Sequence, residues 1–234
     1  MEADSTDNLS LVELQSFLSG KSVAIIGNAS SIFNDRLGAE IDAHEVVIRI
    51  NHGCIKNPVA QGSKTTIWAG SVALNEHEVQ EYFAPIYAMW MTPRRRSLPN
   101  YSPDFRRKLF LHPVEFWEVL QKEVGALGDR QARPTTGAMV INLVVKHCKP
   151  SRVRLYGFDF FKTKTFYEKR LPKNKPHDFH AEEVWVEELC AAYSCLEIRK
   201  HGNRNLEPKT PMHTILSWVL RCMHRLIDTL FRRR

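Results

Sequence analysis

The chain contains no G-x-G-x-x-G fingerprint, no D-x-D tripeptide and no C-x-x-C pair. The first absence counts against a dinucleotide oxidoreductase. The second removes the usual carboxylate clamp of metal-dependent sugar transfer. The third, together with the lack of zinc-like Cys/His spacing, sets metal and disulfide frameworks aside. The five cysteines, Cys54, Cys148, Cys190, Cys195 and Cys222, are an odd number and cannot all pair within one chain. The opening residues MEADSTDNLS carry three acids in the first seven and no basic stretch followed by an apolar core. No secretory signal is therefore expected, and a reducing cytoplasm is the expected compartment. Internal repeats and low-complexity tracts are missing. The basic runs Arg94-Arg95-Arg96 and Arg106-Arg107-Lys108 lack interleaved aromatics, which weakens a nucleic-acid reading.

What is present is an ordinary globular composition. The 234 residues are 43% hydrophobic, enough for one sizeable core. A formal charge of +7 favours an anionic partner: a nucleotide, a phosphorylated glycolipid or a membrane surface. Residues 1–20 read as a polar lead and a short helix carrying Leu11, Leu14 and Leu18 at helical spacing, with the compact domain expected from Lys21 to residue 209. Val23–Ile26 and Val46–Ile50 are short β-branched runs of the kind buried in parallel sheets, joined by a crossover helix over Arg36–Ala43. Further strands are expected at Thr66–Ala69, Ile86–Met91, Leu109–Leu111 and Val153–Tyr156, with helices over Val114–Val124 and Gly137–His147. This alternation predicts a parallel α/β sheet with helices on both faces. Residues 210–234 form a different pattern, in which Ile215, Leu216, Val219, Met223, Leu226, Ile227 and Leu230 oppose a basic face. Charges there would each cost about 2.5–3.5 kcal/mol at a bilayer centre. The expectation is thus an amphipathic helix lying on an anionic membrane surface, or alternatively one packed on protein.

Three segments offer chemistry. Gly27-Asn28 follows a strand and would present N–H groups and an amide to a phosphate or base edge, or Gly27 simply permits a tight turn. Thr135, Thr136 and Gly137 open a helix whose N–H groups and dipole suit an anion, or Thr135 is a plain N-cap. In Thr165–Glu188, His177 and His180 are candidate general bases, with Glu182 as the carboxylate that would orient the imidazole. The other reading of these histidines is solvated residues of a charged loop.

Together these segments resemble the animal-type sialyltransferases, glycosyltransferase family 29. The large motif is seen in Gly27-Asn28, Leu37-Gly38, Ile41-Asp42, Arg49-Ile50-Asn51 and Gly62-Ser63-Lys64-Thr65-Thr66. The small motif is seen in Pro134-Thr135-Thr136-Gly137 through Leu155-Tyr156-Gly157-Phe158. Thr165-Phe166-Tyr167-Glu168 resembles the third motif, with Thr165 where the family has His, and His177 with Glu182 resembles the H-x-x-x-x-E motif. The resemblance implies a Rossmann-like, single GT-A-like domain that inverts the anomeric centre and needs no metal or other cofactor. It implies His177, Glu182 and His180 as catalytic candidates. For the substrate it implies Gly27, Asn28, Ser30, Arg49, Asn51, Thr135, Thr136, Gly137, Tyr156, Gly157 and Tyr167. Ser22 and Val23 stand where the secretory members have the first cysteine of a disulfide, so the bond to Cys148 is not expected. The expected donor is a CMP-activated ulosonic acid, Kdo or sialic acid. The expected acceptor is a glycolipid of lipopolysaccharide type, with the enzyme on the cytoplasmic face of the inner membrane and no nucleic acid as partner. Transfer to a non-lipid oligosaccharide, a CMP-binding protein without turnover, and a basic membrane-binding module are the alternatives.

Overall fold

In the computed structural model, residues 7–168 and 176–200 are described. Their order is α1 (Leu11–Leu18), β1 (Ser22–Ile26), α2 (Gly38–Asp42), β2 (Val46–Ile50), α3 (Pro58–Gln61), β3 (Ile67–Gly70), α4 (Glu76–Phe83), β4 (Tyr87–Trp90), α5 (Pro103–Arg106), β5 (Leu109–Leu111), α6 (Val114–Gly125), α7 (Thr136–His147), β6 (Arg152–Tyr156), α8 (Phe179–Ala192) and β7 (Leu196–Ile198). The strands form one seven-stranded sheet in the order β5-β4-β3-β2-β1-β6-β7, and every pairing is parallel. This is the expected α/β architecture.

Strand alternation divides the interior between two faces. Val23 and Ile25 of β1, Val46, Ile48 and Ile50 of β2, and Val153 and Leu155 of β6 pack with α1, α6, α7 and α8. Ala24, Ile26, Val47 and Tyr156 point the other way, with Ile32, Leu37 and Ile41 of the α2 region. Trp68, Ala88 and Trp90 meet α4 and α5 on that same side.

Several elements differ from expectation. The crossover after β1 is a 3-10 turn, Ser30–Asn34, followed by the short α2. Here a Cβ on Gly38 would sit 2.0 Å from the Pro58 carbonyl, so α2 and α3 approach too closely for a side chain. The core begins before Lys21: Leu14 and Leu18 are fully buried, and Leu9 bridges Phe110 beside the edge strand β5. The charged stretch around His177–Glu188 is largely helical. Asp178 caps α8 by accepting from Ala181 N at 3.0 Å, and Ala181, Trp185, Val186 and Leu189 supply a buried face.

Cys54, Cys148, Cys190 and Cys195 are free thiols. Among the described residues no helix is long and apolar enough to cross a membrane. The helix expected over 210–234 lies outside the described residues.

Candidate active site at the switch point of the sheet

From β1 the chain winds out through β2 to β5 and then returns to place β6 on the opposite side of β1. Ligands in open α/β sheets bind where strand order reverses in this way, beyond the carboxyl ends. The residues following β1 and β6 are Gly27 and Gly157. Gly27 N donates to the Tyr156 carbonyl at 2.7 Å. A Cβ on Gly27 would lie 2.4 Å from the Gly157 carbonyl, and Gly157 itself has φ +67. Neither position has room for a side chain, and beyond this pair opens a cleft. Its walls are the Gly27–Ala29 turn, Ile50 and Asn51 after β2, the first turn of α7, the loop from Gly157 to Thr165, Tyr167, and Glu182 with Val186 of α8.

A polar network ties these walls together. Asn51 has φ 51, a left-handed conformation that asparagine tolerates better than most residues. Its Oδ1 accepts from Ser71 N at 2.9 Å, and its Nδ2 lies 3.2 Å from Thr136 Oγ1. Thr136 Oγ1 lies 2.9 Å from Ser71 Oγ, closing a triangle between β2, β3 and α7. Asn28 Nδ2 donates to the Ile50 carbonyl at 2.9 Å and lies 3.4 Å from the Tyr167 hydroxyl. The Asn28 side chain fills the space a Cβ on Gly53 would need, 2.3 Å from its Oδ1. Burial, foremost, pushes the Tyr167 hydroxyl above its ordinary pKa.

Thr135 is the N-cap of α7, accepting from Ala138 N at 3.1 Å. Its own N–H and hydroxyl both donate to Glu182, each at 2.6 Å. The N–H groups of Thr136 and Gly137 are left for the cleft, at the positive end of the helix dipole. Gly137 is required there because a Cβ would come within 2.8 Å of the Phe158 ring. Two further polar atoms in the lining, Thr165 Oγ1 and Asp159 Oδ1, are buried without a partner. A site that leaves such atoms unpaired in its own walls is shaped for a polar ligand.

The expected site residues divide accordingly. Gly27, Asn28, Asn51, Thr135, Thr136, Gly137, Gly157, Tyr167 and Glu182 line one cleft. Ser30 lies beside it, its N–H donating to the Lys164 carbonyl at 2.9 Å. Arg49 and Tyr156 do not line it, because strand alternation turns both to the α2 face. The Arg49 guanidinium is fully buried and donates to the carbonyls of Gln61, Gly62 and Lys64, clamping the Gly62-Ser63-Lys64 loop. Tyr156 places its hydroxyl 2.9 Å from Glu40 and 3.0 Å from His44.

The pairing expected between His177 and Glu182 is corrected. The carboxylate is spent on Thr135, and His177 Nδ1 lies 2.7 Å from the Arg133 carbonyl. Arg133 N donates in turn to the Pro176 carbonyl at 2.8 Å. The two residues thus grip opposite ends of the Arg133–Thr135 segment that leads into α7. A carbonyl only accepts, so Nδ1 carries the proton and Nε2 keeps a lone pair. Burial, the main cause, holds the His177 pKa below its ordinary value. His177 adjoins the cleft through aromatic rings: its ring centroid is 6.0 Å from that of Phe179, which stacks at 3.8 Å on the cleft residue Phe161. His180 is exposed and outside the lining. Burial pushes Glu182 up to about 7.

Ser71, Asp159 and Phe161 were not anticipated. Asp159 had a signal, directly following Gly157-Phe158, whereas Ser71 had none, since it enters only through the end of β3. Among the described residues no group of three or more His, Cys, Asp or Glu is placed to hold a metal ion.

The chain is similar to known proteins in sequence and in fold. The family described as glycosyltransferase family 29 (sialyltransferase) matches over residues 8–85 and 71–193. A beta-galactoside alpha-2,6-sialyltransferase 2 of Xenopus tropicalis is 24% identical over 161 residues, covering 57% of this chain and 31% of that protein. The chain therefore spans about a third of that relative's length. Among solved structures, a mammalian sialyltransferase superposes with a TM-score of 0.58 at 19% identity, over 83% of this chain and 74% of that one. The monofunctional alpha-2,3-sialyltransferase Cst-I of Campylobacter jejuni does so with 0.53 at 14% identity, over 88% and 96%. CstII from the same organism, in complex with cytidine-5'-monophosphate, gives 0.52 at 18% identity, over 77% and 80%. These structures share the fold.

Proposed function

The chain belongs to glycosyltransferase family 29, the sialyltransferases, and on that premise we propose that it transfers an ulosonic acid from a CMP-activated donor to a saccharide hydroxyl. The observation that supports this reading is the convergence of two distant segments, Gly27–Asn51 and Thr135–Gly157, on one cleft at the switch point. In this reading the amides of Asn28 and Asn51 meet the nucleotide. The N–H groups of Thr136 and Gly137 receive the donor's phosphate or carboxylate, stabilising the charge that develops on departing CMP. An acceptor hydroxyl passes its proton to neutral His177 as its oxygen attacks the anomeric carbon. CMP leaves from the opposite face, so the centre inverts, and no metal takes part.

Sialic acid is the donor sugar we favour, since the relatives are named for it. Kdo carries the same anomeric carboxylate and leaving group and is the second candidate. For the acceptor we propose a glycolipid, a reading that rests on the basic, apolar pattern of residues 212–234. The deciding experiment is CMP release from CMP-sialic acid and CMP-Kdo, each with a glycolipid and with a free oligosaccharide acceptor. Release with one donor identifies the sugar. CMP binding with no release from either would leave a nucleotide-binding protein without transferase activity.

A further inference from the structure

Glu182 stands at the same helix terminus that would receive the donor's anion. Its side chain is 4% exposed, and both oxygens are occupied by one residue: Oε1 accepts from Thr135 N and Oε2 from Thr135 Oγ1. Thr135 Oγ1 also accepts from Ala138 N, and a hydroxyl has only one proton to donate. While Glu182 is ionised, that proton is committed to the carboxylate, although Thr135 itself lines the cleft.

We propose that Glu182 is a positioning residue that takes up one proton when an anionic donor occupies the cleft, and that this proton turns the Thr135 hydroxyl from the carboxylate to the bound anion. The inference rests on the donor reading above. The proton comes from solvent and binds Oε2, whose new O–H donates to Thr135 Oγ1. Oε1 continues to accept from Thr135 N–H. Oγ1 then accepts twice, from Ala138 N and from Glu182, and its own hydrogen is free for a phosphate or carboxylate oxygen. Every donor and acceptor is satisfied in both states.

The driving force is the placing of a second negative charge beside a buried first one, which makes ionisation of both unfavourable. The Thr135 hydrogen bonds and the α7 N-terminus favour the ionised form, but burial outweighs them. The described cleft lining contains no lysine or arginine, and the first turn of α7 has no charged side chain. At the N-cap of α8, Asp178 adds a like charge that acts in the same direction as burial, raising the Glu182 pKa. From α6, packed against α8, Glu123 is already bound to Lys146 and to the Trp185 indole N–H. His177, preceding α8, is held toward its neutral form by burial. Across the cleft lies a further carboxylate, Asp159.

The test is calorimetric titration of CMP into the full chain near pH 7, in buffers of different ionisation enthalpy, for the parent and for Glu182→Gln. The phosphate of CMP titrates identically in both experiments, so the difference in proton uptake reports Glu182. Because the carboxyl is pushed up to about 7 in the free protein, it is already about half protonated near pH 7, so the parent is expected to take up a further fraction of a proton, at most about one half, and its CMP affinity should tighten more than the variant's as pH falls from 8 to 6. Equal proton counts with CMP binding intact would overturn the proposal and leave the donor reading standing. A parent that does not bind CMP would overturn both. If Glu182→Gln does not fold, infrared difference spectra of the parent with ¹³C-labelled glutamate decide the matter: CMP should add a protonated-carboxyl band, and its absence overturns the proposal.

Discussion

Glu182 and Thr135 are joined twice, the threonine N–H and hydroxyl each donating to the carboxylate at 2.6 Å. The consequence is that the H-x-x-x-x-E motif of this chain works as a clip. His177 holds Arg133 at one end of the segment leading into α7 and Glu182 holds Thr135 at the other. The two residues meet on a shared stretch of backbone rather than on each other.

The first prediction concerns stability and pH. Glu182 moves from an ordinary 4.5 to about 7 on folding. Below 4.5 both states hold the proton and the group contributes nothing. As pH rises past 4.5 the unfolded chain ionises first, so stability falls until about pH 7, where the folded carboxyl ionises too. The size is at most about 3 to 4 kcal/mol at 1.36 kcal/mol per pH unit. Urea midpoints at pH 5 and pH 8 should differ more for the parent than for Glu182→Gln.

A second prediction separates two glycines. Gly20 has φ +73 with nothing within 4 Å of an added Cβ, so Gly20→Ala should cost only the left-handed penalty of about 1–2 kcal/mol. Gly27→Ala drives a methyl into the Gly157 carbonyl and must push the ends of β1 and β6 apart. It should cost about 3 kcal/mol or more and abolish the thermal shift produced by CMP, whereas Gly20→Ala should keep it.

Arg49 tests the reassignment of a motif residue from ligand to scaffold. Its guanidinium is buried on four acceptors, and burial lowers its pKa to about 10. Arg49→Met leaves those carbonyls unpaired and should cost about 3–5 kcal/mol, the scale seen when a buried charged interaction is broken. Denaturant unfolding measures that loss, and calorimetry on the folded protein should return the parent's affinity for CMP. A selective loss of CMP affinity without loss of stability would restore Arg49 to the site.

His177→Ala should lower turnover by about 10²- to 10⁴-fold, with a much smaller loss of CMP affinity from the released Arg133 carbonyl. Because burial holds the imidazole pKa below its usual 6.5, the acid limb of kcat/KM should fall below pH 6.5. A limb at or above that value would assign the base elsewhere.

Much of this molecule is written in local pattern. The β-branched runs at Val23–Ile26 and Val46–Ile50, the Leu11-Leu14-Leu18 spacing and the Thr135 cap each state an element without reference to the rest of the chain. Gly27 was legible as a turn, but its contact was not, since Gly27 and Gly157 meet only once β6 lies beside β1. The helix α8 was obscured because its buried residues Ala181, Trp185, Val186 and Leu189 are interleaved with charges that dominate a reading by composition.

The sequence by itself determined the alternation of strands and helices, the parallel sheet and the family motifs, because periodicity and capping act between residues a few positions apart. Tertiary structure alone decided that Arg49 and Tyr156 face α2, that Ser71 braces Asn51, and that Glu182 serves Thr135. Those outcomes depend on strand order and on which side of the sheet each alternate residue faces, and both are settled only when distant segments pack.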